Sequence, residues 1–297
     1  VFSTVLIPTD LSPASDRVVE CAAKALVPLG TRSLILLHAL GIRHLDAMAP
    51  ALAAAAESRL AAQAHALRQT GVSVDVVTAA GIAHDEINRV ARDRRVSLVL
   101  LGSQGAGLLS ELRVGSVTLE TLHRCEVPVL LARVTCDAAG DAAIDCGALA
   151  RRVLHPTDFS DVGERAFAYV HALVERGVEG VSLLHVQDRK DRSRIQGRSE
   201  QQLAEFDQID RARLERLARD LKEAGAPYVN VEVAHGSPIQ EILRSAAETS
   251  DILIVMGTQG RGFIPEVFLG SVSHAVARLA KAPVLLVPGR SVIDARF

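Results

Sequence analysis

One glycine spacing, Gly-x2-Gly-x9-Gly-Ser, occurs twice in this chain and restricts its fold more than any other feature. In the second half the apolar run Leu253 to Met256 ends at Gly257, Gly260 follows, and Gly270-Ser271 opens a segment with helical spacing. In the first half Leu98 to Leu101 runs into Gly102, then Gly105, then Gly115-Ser116. A strand that must end at glycine is one whose backbone passes close to something bulky. The second glycine allows a turn that a Cβ would obstruct, and the following residues form a loop that leaves the sheet edge and returns. Gly115 and Gly270 then present backbone N–H groups at a helix start. Those orphan donors and the positive end of the helix dipole make an anion site, with Ser116 or Ser271 adding a hydroxyl. A phosphate is the natural occupant. Loops that merely need glycine explain one copy as well, but they do not explain two at the same spacing.

The surrounding elements repeat too. Thr4 to Pro8 is an apolar run ending at Thr9-Asp10, with Ser12 as N-cap and Pro13 at the first position of a helix predicted to reach Leu29-Gly30. Strands over Ser33 to Ala39, Val72 to Thr78, Val96 to Leu101 and Val127 to Ala132 alternate with helices over Met48 to Gln69, His84 to Asp93 and Gly115 to Arg124. Arg152 to Pro156, followed by Thr157-Asp158-Phe159-Ser160, restarts the order, and Gly102 and Gly257 stand 155 residues apart. Ser237-Pro238-Ile239-Gln240 reads as a capped helix start. Uniformly apolar strands alternating with helices predict an α/β chain of two tandem doubly wound, Rossmann-like domains, each with a five-stranded parallel sheet flanked by helices. The expected boundaries are 1–134 and 151–297. A linker of small residues without apolar period is expected over 135–150. Ligands of such sheets sit beyond the carboxyl ends of the strands at the switch point. That places Asp10, Ala39 and the loop after strand four together, and likewise Asp158, Val186 and the 257–271 loop.

Composition narrows the function classes. The chain has no tryptophan, 3% aromatic residues and a net charge of −2, which disfavours stacking on nucleic acid and general attraction to polyanions. The four cysteines, at 21, 125, 136 and 146, show no metal or disulfide spacing, so reduced thiols are expected. No apolar run is long enough to span a bilayer, and no signal peptide is visible, so a cytoplasmic protein is expected. A Walker loop, a Gly-x-Gly-x2-Gly after the first strand and a Gly-x-Ser-x-Gly elbow are all missing from the sequence. His38 and His185 end matching strands without a partner at ligand spacing and read as structural histidines. Asp10 and Asp158 have a local alternative, organising the start of the following helix.

With Pro-Thr-Asp closing one strand and the glycine pattern another, the chain resembles the universal stress protein family over both halves, as a tandem member. In that family the glycine pattern marks ATP-binding members. The resemblance implies that Asp10 and Asp158 contact the adenosine part, that Ala39 and Val186 border the adenine, and that the glycines and serines hold ribose and phosphates. The candidate nucleotide-binding set is therefore Pro8, Thr9, Asp10, Ala39, Gly102, Gly105, Gly115, Ser116 and Val117 in the first half. In the second it is Pro156, Thr157, Asp158, Val186, Met256, Gly257, Gly260, Arg261, Gly270, Ser271, Val272 and Ser273. No catalytic residue and no metal ligand is assigned. Glu111 and Glu266, in the glycine loops, read as solvent-facing rather than as approaching a phosphate-bound Mg²⁺. The expected ligand is ATP, or ADP or AMP, with Mg²⁺. Arg261 offers a phosphate a cation where the first half has Ala106, so the second site is expected to bind more tightly. The resemblance further implies pairing of the last strands of the two halves as an internal pseudo-dimer, a protein partner of unknown identity and possible homodimers. The expected function is an ATP-binding, stress-response regulator that switches with occupancy. A slow ATPase, or an interaction module with empty pockets, is the alternative.

Overall fold

The computed structural model describes residues 1–41, 50–103, 114–136, 142–144, 151–188, 200–260 and 269–289. The chain divides into two compact units, one covering Val1–Cys146 and the other Gly147–Pro265 with Leu269–Gly289.

The first unit contains β1 (Thr4–Thr9), α1 (Pro13–Ala25), β2 (Ser33–Leu40), α2 (Pro50–Arg68), β3 (Ser73–Ala80), α3 (Ala83–Asp93), β4 (Leu98–Gly102), α4 (Ser116–Arg124) and β5 (Val129–Ala132). Its strand order is β3-β2-β1-β4-β5, with every pair parallel. The second unit repeats this with β8 (Arg152–Pro156), α5 (Asp161–Val174), β9 (Gly180–Asp188), α6 (Glu200–Glu223), β10 (Val229–Gly236), α7 (Pro238–Ala247), β11 (Ile252–Gly257), α8 (Ser271–Leu279) and β12 (Val284–Val287). There the order is β10-β9-β8-β11-β12, again parallel. Each unit is therefore the Rossmann-like domain that its apolar strands predicted.

Burial explains the strand composition. Leu98, Val99 and Leu100 of β4 and Ile254 and Val255 of β11 have no accessible surface, and each such side chain contributes roughly 2 kcal/mol. β3 and β10 lie outermost in the order and instead leave residues such as Asp75 and Glu232 to pair with Arg94 and Arg244. Helix α1 stops at Ala25, short of the expected Gly30, and turns follow it. Pro28 has no N–H and could not continue the helix, and Gly30 at φ 94° closes the turn. Ser237 is the N-cap of α7, but its side chain makes no cap hydrogen bond, so the expected capping box does not form.

The segment expected as a linker carries a small antiparallel hairpin, β6 (Val134–Cys136) with β7 (Ala142–Ile144). Ser103 anchors its start, its hydroxyl accepting from the Val134 N–H at 3.0 Å. Strands of three residues are too short to show a hydrophobic period, so only the pairing reveals them.

Candidate functional site

In each unit the chain crosses to opposite sides from β1 and β4, or from β8 and β11, and this opens the switch-point crevice. Asp10 directly follows β1, Ala39 is the last residue but one of β2, Gly102 ends β4, and Ser116 begins α4. Asp158, Val186, Gly257 and Ser271 stand likewise in the second unit. The candidate residues within the described segments therefore converge on the carboxyl end of their own sheet. Gly105 and Arg261 lie outside the described residues, as do Glu111 and Glu266.

Both aspartates organise the start of the next helix. Asp10 Oδ1 accepts from the Ser12 N–H at 3.0 Å and from the Ser15 hydroxyl at 2.5 Å. Asp158 Oδ1 accepts from the Ser160 N–H at 3.1 Å and from its hydroxyl at 2.6 Å. Ser12 and Ser160 then cap α1 and α5 by accepting from Ser15 and Gly163 N–H groups, both at 3.2 Å. The intervening Leu11 and Phe159 take positive φ values of 61° and 59°, and Thr9 and Thr157 hydroxyls accept their N–H groups. The local alternative for these aspartates is thus a physical fact. It uses Oδ1 of each carboxylate, and Oδ2 of Asp158 lies beside Gly260.

That loop is built as a clamp. Gly270 N–H donates to Thr258 O at 2.7 Å and Gly115 N–H to Ser103 O at 3.0 Å, so both loops are pinned at their bases. Hydroxyls in the third position of α8 and α4 add a second tie: Ser273 to Gly257 O at 3.0 Å and Thr118 to Gly102 O at 3.1 Å. Ser273, placed in the candidate set, therefore spends its hydroxyl on the strand end. Gly270 and Gly115 cap their helices without any side-chain cap hydrogen bond, and Ser116 and Ser271 are exposed. The first-turn N–H groups are thus not occupied by a capping side chain. A Cβ on Gly260 would stand 2.5 Å from Asp158 Oδ2, so any side chain there must displace that carboxylate. Gly257 has a different reason. Its missing Cβ would lie 2.8 Å from Val162 Cγ1 and 3.2 Å from the Gln259 carbonyl, so the bulky neighbour inferred at this strand end is the first turn of α5.

The family follows from a match in two blocks, with the universal stress protein family model covering residues 2–133 and again 150–288. The chain belongs to the universal stress protein family. A universal stress protein of Mycolicibacterium smegmatis is 29% identical over 301 residues, covering 96% of this chain and 97% of its own. A shorter one from Methanocaldococcus jannaschii is 28% identical over 154 residues, 46% of this chain and 94% of its own. Among solved structures, a universal stress protein from Archaeoglobus fulgidus superposes with a TM-score of 0.70 at 25% identity, covering 96% of this chain and 98% of that one. This is a tandem universal stress protein.

The two universal stress protein domains differ around the site. His38 Nδ1 lies 3.0 Å from Thr9 O, and His185 Nδ1 lies 2.7 Å from Thr157 O. A carbonyl only accepts, so Nδ1 carries the proton in both and the structural reading of these histidines holds. In the second domain Asp210 of α6 approaches His185 Nε2 at 3.4 Å and accepts from Gln187 at 2.9 Å. The Phe159 ring stands 4.7 Å from the His185 ring, with the Arg213 guanidinium 5.2 Å from its centroid. Sequence reasoning missed this wall beside Val186, although Asp207, Asp210 and Arg213 recur at helical spacing along α6. Among the described residues, no group of three or more His, Cys, Asp or Glu could hold a metal, and no helix is long and apolar enough to cross a membrane.

Proposed function

We propose that this tandem universal stress protein is a stress-response regulator that binds ATP at the carboxyl end of each sheet and changes shape or partner with occupancy. The observation that carries this reading is the clamp in the second domain. A loop pinned at its base brings a Cβ-free Gly260 against Asp158 and leaves the first turn of α8 without a side-chain cap. Backbone N–H groups there suit phosphates, and the strand ends at Asp158 and Val186 suit the nucleoside. Mg²⁺ would arrive on the phosphates, since the described residues offer it no cluster of their own. Among the described residues, the aromatic and charged wall of Phe159, His185 and Arg213 has no counterpart around Leu11, which supports unequal sites, the second binding more tightly.

Denaturing freshly purified protein and identifying the released nucleotide by chromatography and mass spectrometry tests the proposal. ATP at about one to two equivalents per chain is the expected result. ADP alone would favour slow hydrolysis. No nucleotide, followed by no heat on titration with Mg·ATP, would leave an interaction module as the better reading.

Gly260→Ala gives a sharper test. No positive φ constrains Gly260, so the added methyl acts only by displacing the Asp158 carboxylate. Affinity for Mg·ATP in the second domain is expected to fall about tenfold or more, with the unfolding midpoint lowered only by what the Asp158–Ser160 cap contributes, about 1 kcal/mol. Unaltered titration curves would remove Asp158 from the site.

A further inference from the structure

At the opposite end of the first sheet from the glycine loop, α3, the turn after it and the end of α4 enclose a cleft lined by Asn88, Arg92, Arg95, Arg124, Cys125 and Glu126. Asn88 is 8% exposed, and neither its Nδ2 nor its Oδ1 has a hydrogen-bond partner. Buried amides without partners cost on the order of 1–3 kcal/mol, so a group that satisfies this one is the economical explanation. The cleft measures about 10 Å³, room for one oxygen-sized group, and is open on one side. The lining carries three guanidiniums against one carboxylate. Arg124 is paired with Asp85 at 3.0 Å, whereas the Arg92 and Arg95 side chains make no hydrogen bond or ion pair among the described residues. Burial pushes the Cys125 thiol up to about 12, so it adds no negative charge.

Two further observations show that this polarity is not a requirement of the fold. The internal repeat supplies a control: 155 residues on from Asn88, Arg92, Arg124 and Cys125 stand Leu243, Ala247, Leu279 and Ala280. The same helices thus pack in the second domain without the amide or the guanidiniums. Arg95 also occupies the left-handed position after α3, at φ 48°, where Val96 N–H donates back to Ala91 O. Glycine is the usual residue in that helix-ending motif, and an arginine there accepts backbone strain.

We propose that this cleft binds a phosphoryl group, with one oxygen seated on the Asn88 amide and the others held by Arg92 and Arg95 at the mouth. Guanidinium forks match the planar spread of phosphate oxygens, and Asn88 Nδ2 donates to the deepest one. Inorganic phosphate and a phosphorylated side chain of a partner share this chemistry. The site is separate from the nucleotide crevice and does not depend on that reading.

The test is NMR on the full-length ¹⁵N-labelled protein, read at the Asn88 side-chain amide and the Arg95 Nε–H. Inorganic phosphate and a phosphoserine peptide are titrated separately against sodium chloride of matched ionic strength. Saturable shifts at Asn88 with either probe are expected, and the probe that binds more tightly identifies the source. Asn88→Leu, which copies Leu243, should fold and abolish the response at the Arg95 Nε–H, while Arg92→Gln and Arg95→Gln should each weaken the response at the Asn88 amide about tenfold. Shifts that never saturate with either probe, or that persist unchanged in all three variants, would overturn the proposal.

Discussion

Gly257→Val is expected to lower the unfolding temperature of the second domain by about 10 °C, a loss of about 3 kcal/mol, whether or not nucleotide is present. The physical cause is contact with the protein itself. A Cβ on Gly257 would stand 2.8 Å from Val162 Cγ1 and 3.2 Å from both the Val162 carbonyl carbon and the Gln259 carbonyl oxygen. Two of these neighbours are backbone and cannot rotate aside. Val162 belongs to the first turn of α5, the turn held by the Asp158–Ser160 cap, and Gly257 is tied by strand pairing to Val287 and by Ser273 to the helix start. Relief therefore requires moving α5 away from β11, which exposes apolar surface. Gly257→Ala, with only the Cβ added, should show a smaller shift in the same direction. Thermal unfolding by circular dichroism measures both. A valine variant with wild-type unfolding but no bound nucleotide would instead mean that the glycine serves ligand approach.

The second large effect is expected on acidification. His155 is completely buried in β8, where its Nδ1–H donates to Val255 O at 2.8 Å and its Nε2 has no partner. The β8–β11 ladder runs from Arg152 to Leu154, and Pro156 has no N–H to continue it, so the imidazole supplies a donor to the next carbonyl of β11. Burial pushes its pKa down to about 4 from 6.5, against the opposing influences of the Val255 hydrogen bond and the Asp158 charge. Above the unfolded value the ring is neutral in both states and its contribution to stability is intact. As pH falls below 6.5 the unfolded chain takes up a proton that the folded chain refuses, and stability declines until the folded ring also titrates near 4. The loss across that window is about 3 kcal/mol. In the first domain Ile7 stands in the corresponding place and is fully buried. His155→Ile should therefore flatten the pH dependence over that window by about one proton in denaturant titrations at several pH values. An unchanged slope would show that His155 is not the group responsible.

The duplication, the strand and helix order, and the placement of Asp10, Asp158, Gly102 and Gly257 at strand ends were all legible in the residues. Each is written in a short-range signal: apolar runs, turn residues, or a spacing that occurs twice. A local signal also located the serine cap of α1, since Ser12 accepts from a group three residues ahead, and Ser160 caps α5 in the same way. Such signals failed at α7, where Ser237 stands in the right place but does not bond, and in the 134–144 hairpin, whose strands are too short to carry a period.

The sequence by itself determined that a strand ends at Gly257, that His155 and His185 lie in strands, and that Asn88 rides on a helix. Only the tertiary structure decided what each of them meets. Val162 fills the space beside Gly257, Asp210 comes from α6 to His185, Pro156 leaves a carbonyl for His155, and α4 brings Arg124 to the cleft that Asn88 lines. These neighbours come from separate elements, and hydrophobic period reports which face of an element is buried rather than which atom lies opposite it.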